Sequence, residues 1–214
     1  MTLDPSLRRT RSAVRRGWRL ALGAVLFLAL PAQAQIADRP RAAVGDRWQF
    51  VVFHAVPSRT PNRTWVVTAI GPGRVFGTEN GEPLTLTDEL NVVDSPRQSE
   101  TNPKSLSFPL EVGKRWRYDS EWLFKPKSSR GTIAVDVSVV GYESVDVPAG
   151  RFEAFKLVAI GELGGTSPIN SVYAGRTTTT YWYSPAARAI VRSVHHNPYL
   201  GTQTVELVAF ELRP

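Results

Sequence analysis

The sequence has no cysteine, and its one methionine is Met1. No disulfide framework can hold the fold, and thiolate metal sites and catalytic thiols are excluded outright. Stability must therefore come from buried apolar surface. Histidine is scarce, with three in 214 residues: His54, His195 and His196. Lysine is scarce too, five against 21 arginines, the usage of a GC-rich bacterial genome. The longest apolar run, residues 20–30 (LALGAVLFLAL), has 11 residues, well short of the roughly 20 that cross a bilayer as a helix.

That short run sits inside an export signal. Arg8, Arg9, Arg11, Arg15, Arg16 and Arg19 form a basic leader ahead of it. Pro31 ends its helix, and Ala32-Gln33-Ala34 places small side chains at positions −3 and −1 of a cleavage site. An uncleaved anchor is the competing reading, and the shortness of the run counts against it. Arg15-Arg16 resembles a twin-arginine signal, but Arg19 interrupts the apolar positions that should follow, which favours the general secretory route. The expectation is a signal peptide over residues 1–34 and a mature chain starting at Gln35, periplasmic or secreted, with no membrane span after cleavage. Without cysteine, a lipidated cysteine at the new N-terminus is excluded.

Removing the leader changes the charge argument. The whole chain carries +7, but residues 35–214 hold 20 basic and 18 acidic groups, a net of +2. Nucleic acid, the partner a strongly basic domain would suggest, is therefore not expected. The 180 residues that remain suit a single β-rich domain, with 40–104 and 105–214 as candidate halves.

Strand periodicity runs almost throughout. Within residues 132–140, Ile133, Val135, Val137 and Val139 share one face while Asp136 and Ser138 take the other. Comparable runs fall at 47–56, 64–70, 152–160, 177–183, 189–195 and 203–212. Turn signals separate them: residues 57–62, Gly71-Pro72-Gly73, Asn80-Gly81, Pro148-Ala149-Gly150 and Ser184-Pro185. The pattern predicts an all-β antiparallel meander forming a curved sheet, barrel or sandwich. Residues 86–92 read as a short helix, 94–108 as a polar boundary between halves, and 161–176 as a long glycine-rich loop.

Residues 44–50 (VGDRWQF) echo residues 112–118 (VGKRWRY), with four identities in seven at an offset of 68. The offset carried forward pairs Val67 with Val135. A duplicated strand–loop–strand unit would place Trp48 and Trp116 in equivalent core positions.

Three segments are familiar together: Phe108-Pro109-Leu110-Glu111-Val112-Gly113-Lys114-Arg115-Trp116, residues 141–154 (GYESVDVPAGRFEA), and Tyr181-Trp182-Tyr183-Ser184-Pro185 followed by Ile190-Val191-Arg192. Over about residues 105–195 the chain resembles a diffuse group of uncharacterised bacterial exported β-domains. The resemblance implies a curved antiparallel sheet and an exported location, and it brings no catalytic residues. Physically the segments are folding punctuation: Pro148 presets φ, Gly150 can take positive φ, and Pro185 removes a ladder donor.

Chemistry is sparsely signalled. His195 and His196 are adjacent, so a regular strand points them to opposite faces, and joining either to His54 leaves no recognisable ligand set; no metal site is expected. A nucleophile elbow and a phosphate-binding loop are both missing, and no cofactor is expected. Asp136, Glu143, Asp146 and Glu153 could form a carboxylate pair for glycoside chemistry, though such residues are routine on solvated sheet faces. The cluster Lys125, Lys127 and Arg130 reads as a solvated hairpin tip. The aromatics hold more promise, because Tyr181, Trp182 and Tyr183 must send aromatic surface to both faces. These three are the candidate binding residues. Two functions stay in view: a non-catalytic binding or envelope-associated module for an apolar molecule or a protein, and an exported hydrolase whose carboxylates are assembled by the fold.

Overall fold

The computed structural model describes residues 35–54, 62–168 and 172–214. The export signal, and most of the turn expected at 57–62, lie outside the described residues. Residues 34–214 form one compact unit. The first strands are β1 (Ile36–Ala37), β2 (Arg47–His54), β3 (Arg63–Gly71), β4 (Arg74–Glu79) and β5 (Glu82–Thr87). Then come β6 (Val92–Asp94), β7 (Gln98–Glu100), β8 (Leu110–Glu111), β9 (Arg115–Phe124) and β10 (Ser129–Val147). The last four are β11 (Gly150–Thr166), β12 (Val172–Ser184), β13 (Ala189–Asn197) and β14 (Gly201–Glu211). No α-helix occurs among the described residues, and one 3-10 turn, Lys125–Lys127, makes the tip between β9 and β10.

Twelve strands close into an antiparallel barrel in the order β2-β3-β4-β5-β6-β7-β9-β10-β11-β12-β13-β14, with β14 pairing back to β2. β1 and β8 form a separate two-stranded pair, Ile36 opposite Glu111. Closure removes the sheet edges, which otherwise invite pairing with other chains. It also poses a packing problem. About eight strands enclose a lumen that side chains can just fill. Twelve enclose more.

Part of that space is taken by two apolar clusters. Trp48, Phe50, Val67, Leu84, Phe152 and Leu207 belong to the first, while Tyr118, Val137, Phe155, Leu157, Tyr183 and Leu106 belong to the second. Part is taken by the chain itself. After β7 the backbone leaves the wall, and Leu106 and Leu110 reach the second cluster with 2% and 0% of their surface exposed. Residues 94–108, expected as a polar boundary, are thus wall strand (β6 ends at Asp94; β7) followed by a segment that packs inside.

The expected alternation on β10 is present: Val135, Val137 and Val139 are buried, Ile133 is half-buried and Asp136 is exposed. The Asn80-Gly81 turn forms with both residues at positive φ, 53° and 90°, as a two-residue hairpin requires. Two expectations are corrected. Residues 86–92 are not helix. Leu86 and Thr87 are the last residues of a ladder with β4, and Thr87 Oγ1 accepts the N–H groups of Glu89 and Asn91 to turn the chain into β6. Residues 161–176 are not a loop for most of their length, because β11 and β12 pair from Phe155↔Tyr183 to Thr166↔Val172. Their glycines serve close approach. A Cβ on Gly165 would lie 2.5 Å from the Trp122 ring, and one on Gly161 would lie 2.7 Å from Thr177 Oγ1.

Candidate functional site

A cavity of about 220 Å³ remains in the lumen. Its apolar wall is set by register. Trp48 stands opposite Trp65 across β2 and β3, and Phe50 lies one inward position further along β2. Phe50 and Trp65 meet edge to face with ring centroids 5.4 Å apart. Leu86, Val92 and Val205 continue the wall. Tyr181, Ser193 and Val205 are successive partners across β12, β13 and β14, and all three reach the cavity.

The inserted segment floors this space and is held by side chains. Asn91 grips Leu106 at both ends of its backbone: Oδ1 accepts the N–H at 2.8 Å and Nδ2 donates to the carbonyl at 3.0 Å. Ser105 Oγ lies 3.4 Å from both Tyr118 OH and Tyr181 OH, so one hydroxyl links β9 to β12. Phe108 packs edge to face on Tyr183 at 5.1 Å, and its N–H donates to Glu89 Oε1 at 2.9 Å.

Charged groups at the cavity divide into answered and unanswered. Arg63 lies 4.0 Å from Glu79, whose other oxygen accepts a hydrogen bond from Trp65 Nε1 at 2.9 Å. Burial lowers the Arg63 pKa, and Glu79 opposes that shift. Arg188 donates to the Arg41 carbonyl at 2.9 Å and lies 3.4 Å from the fully buried Asp46 carboxylate. The Glu100 backbone pairs with Trp122 across β7 and β9, while its carboxylate has no hydrogen-bond or ion-pair partner among the described residues. Loss of water pushes its carboxyl up to about 7. The same loss raises the phenols of Tyr118 and Tyr181. Both Glu100 and Tyr181 keep accessible surface while surrounded by protein, the geometry of groups facing an internal space.

The three aromatic candidates separate. Tyr181 lines the cavity. Tyr183 is 1% exposed and belongs to the second cluster. Trp182 points away from the cavity and is half-buried at the edge of the first cluster, with Lys156 and Arg192 at 5.4 and 5.3 Å from its ring, and it donates to Glu143 Oε1 at 2.8 Å. Glu143 is held below the usual carboxylate range by that bond and by one from Lys156. The other proposed carboxylates are also outside: Asp136 pairs with Arg117, Asp146 with Arg151, and Glu153 is exposed. They do not converge on the lumen.

The histidines split as alternation requires. His195 Nδ1 lies 2.7 Å from Thr179 Oγ1, and His54 Nε2 lies 3.3 Å from Gln203 Nε2. Thr179, His195, Gln203 and His54 are lateral partners on four successive strands, a polar row across the wall. Burial lowers the His195 pKa, with a smaller effect from His196, which takes the opposite face beside Thr202. No cluster of three metal-ligating side chains occurs among the described residues. Glu100, Arg63, Ser105 and Asn91 were missed in the sequence. Asn91, Glu100 and Ser105 are polar residues in short or irregular segments, and Arg63 opens β3, so nothing local marks them as inward.

No family model matches the chain, and no curated protein matches it. Solved structures do. One is described as a "putative lipoprotein from Parabacteroides distasonis ATCC 8503", with TM-score 0.52 and 14% identity over 82% of this chain and 99% of that one. Another is a "putative exported protein with YmcC-like fold" from Bacteroides fragilis NCTC 9343, with TM-score 0.51, 16% identity and the same coverage. The chain shares their fold. The hypothetical lipoprotein YmcC from Escherichia coli K12 matches with TM-score 0.46 and 15% identity over 79% of this chain and 85% of that one. None of these descriptions indicates a catalytic function. The resemblance to uncharacterised exported β-domains is therefore met at the level of fold.

Proposed function

We propose that this chain is an exported, non-catalytic binding domain of the bacterial envelope, and that its ligand occupies the barrel lumen. The observation that carries the reading is the cavity of about 220 Å³ walled by Trp48, Phe50, Trp65, Leu86 and Tyr181. Drug-sized sites run to roughly 300–1,000 Å³, so the ligand here is small, a single ring or a branched alkyl group carrying one polar function. Asn91 and Ser105 support the reading, since they fix the floor before any ligand arrives. Export is supported by the leader in residues 1–34 and by the exported or lipoprotein descriptions of the structural relatives. This chain differs from a lipoprotein in having no cysteine to carry a lipid.

The test uses protein recovered after export, whose intact mass should begin at Gln35. Titration with 3,3-dimethyl-1-butanol should shift the indole N–H resonances of Trp48 and Trp65 while leaving that of Trp182, which points away from the cavity, in place. Ser193→Phe, which places a ring in the cavity, should abolish the shifts while the protein stays folded. Equal shifts in that variant, or shifts at Trp182 alone, would refute lumen binding.

A further inference from the structure

We infer that the lumen takes a small organic ammonium ion, with Glu100 as its counter-ion and Trp48, Phe50, Trp65 and Tyr181 as its aromatic wall. The inference rests on the lumen-binding reading above and assigns its ligand a chemical class.

Charge accounting at the cavity carries it. Two cations and one anion reach the lining: Arg63, Arg188 and Glu100. Each arginine is already answered, Arg63 by Glu79 and Arg188 by Asp46 and the Arg41 carbonyl. Glu100 is the charged group there left without a partner among the described residues. An arriving anion would have to displace a carboxylate from an arginine. An arriving cation meets a free acid. The wall favours the same sign, because aromatic faces attract cations, most strongly when water is excluded. A quaternary or substituted ammonium also suits an apolar cavity better than a hydrated metal ion, because its methylene groups tolerate dry contact.

The geometry imposes a pH dependence. Alone in the cavity, Glu100 holds its proton up to about pH 7. A bound cation selects the ionised form, so binding releases that proton and tightens as pH rises. Below about pH 7 affinity should fall about tenfold per unit. The other titratable and charged groups around the cavity include Asp46 before β2, Arg63 on β3, Glu79 on β4, Arg97 just before β7, Tyr118 on β9, Tyr181 on β12, Arg188 before β13, and His195 on β13. The phenols, raised by burial, keep their protons from pH 5 to 8. His195 titrates low because it is buried, so Glu100→Gln serves as the control that separates the two.

Three ligands of one shape decide the matter: choline, its neutral isostere 3,3-dimethyl-1-butanol, and the anion 3,3-dimethylbutanoate. Binding to the exported wild-type protein is read from the Trp48 and Trp65 indole resonances at pH 5 and pH 8. The expected result is choline ahead of the alcohol by at least about tenfold at pH 8, with that advantage lost at pH 5 and in Glu100→Gln. The alcohol should bind alike in all four conditions. Choline no tighter than the alcohol at pH 8, or the anion tightest, overturns the cation assignment and leaves lumen binding standing. Failure of all three to move either resonance overturns both. The wild-type pH comparison stands even if the variant folds poorly.

Discussion

The turn before Trp48 and the turn before Trp116 are built alike, yet they end in different surroundings. Gly45 N–H donates to the Val67 carbonyl and Val67 N–H returns to Asp46; Gly113 N–H donates to Val139 and Val139 N–H returns to Lys114. All four bonds measure 2.8–2.9 Å. Asp46 closes on Ala43, and Lys114 closes on Glu111. A bulge follows Val67 on β3 and Val139 on β10. The equivalent partners lie 72 residues apart, not the 68 that pairs Val67 with Val135, because the second hairpin is four residues longer. The surroundings then diverge. Trp48 is 1% exposed and donates to the Ala187 carbonyl at 2.8 Å. Trp116 is half-buried, covered on one side by Lys114 at 5.5 Å from its ring, and donates to Lys104 at 2.7 Å. The expectation that both indoles sit equally in the core is corrected: the same backbone device delivers one into the first cluster and the other to the margin of the second.

The largest test of that contrast is truncation. Trp48→Ala should cost about 3–5 kcal/mol, the range for a fully buried aromatic. Trp116→Ala should cost clearly less, since part of its surface already meets water. Chemical denaturation of both variants gives the numbers. Equal losses would mean that the margin of the second cluster is as closely packed as the interior of the first.

Charge repeats the contrast and gives the next test. Around Trp48, Asp46 receives the N–H groups of Ala43 and Arg213, and Glu79 receives the Trp65 indole. Glu100, beside β9, receives nothing comparable. Its pKa rises from 4.5 in the unfolded chain to about 7 in the fold. Below 4.5 both states hold the proton, so there is no difference. Between the two values the unfolded chain has ionised and the folded one has not, so the folded state binds more protons. Stability therefore falls as pH climbs from about 4.5 to about 7, then levels off. At about 1.4 kcal/mol per unit the total is on the order of 3–4 kcal/mol. Glu100→Gln should remove most of this decline in urea midpoints measured across that window. An unchanged decline would assign it elsewhere.

How legible these features were follows from side-chain period. Residues 132–140 and 177–183 alternate cleanly, and both strands, with the opposite orientations of Trp182 and its flanking tyrosines, could be read directly. β6 and β7 span three residues each, too few for a period to show. β4 carries Gly77 where a Cβ would collide with the Val66 carbonyl, so its glycine reads as a breaker although it marks close strand contact. The cavity lining was hidden for a different reason. Inward positions were sought as apolar residues, while Arg63, Glu100 and Ser105 point inward because twelve strands leave room for polar groups and for each other. Strand number is a property of closure, and no local window contains it.

The smallest effect isolates the turns themselves. Gly45 and Gly113 hold φ of +91° and +96°, a region that side chains rarely adopt. At Gly113 an added Cβ meets nothing within 4 Å, so Gly113→Ala should report backbone strain alone, about 1 kcal/mol after the stiffer unfolded chain gives a few tenths back. At Gly45 the Cβ would lie 3.1 Å from Arg213 Nε. The arginine side chain can move, but its own backbone N–H is tied to Asp46 at 2.6 Å, which limits how far. Gly45→Ala should therefore exceed Gly113→Ala by up to about 1 kcal/mol. The double variant should be additive within about 0.5 kcal/mol, because the two turns share no bonding partner. Guanidinium denaturation of the three proteins measures all of this. A Gly113 loss equal to the Gly45 loss would show that Arg213 yields freely, leaving the shared backbone geometry as the whole cost. A strong departure from additivity would mean that the two turns are coupled through the lumen and cannot be treated as separate copies of one device.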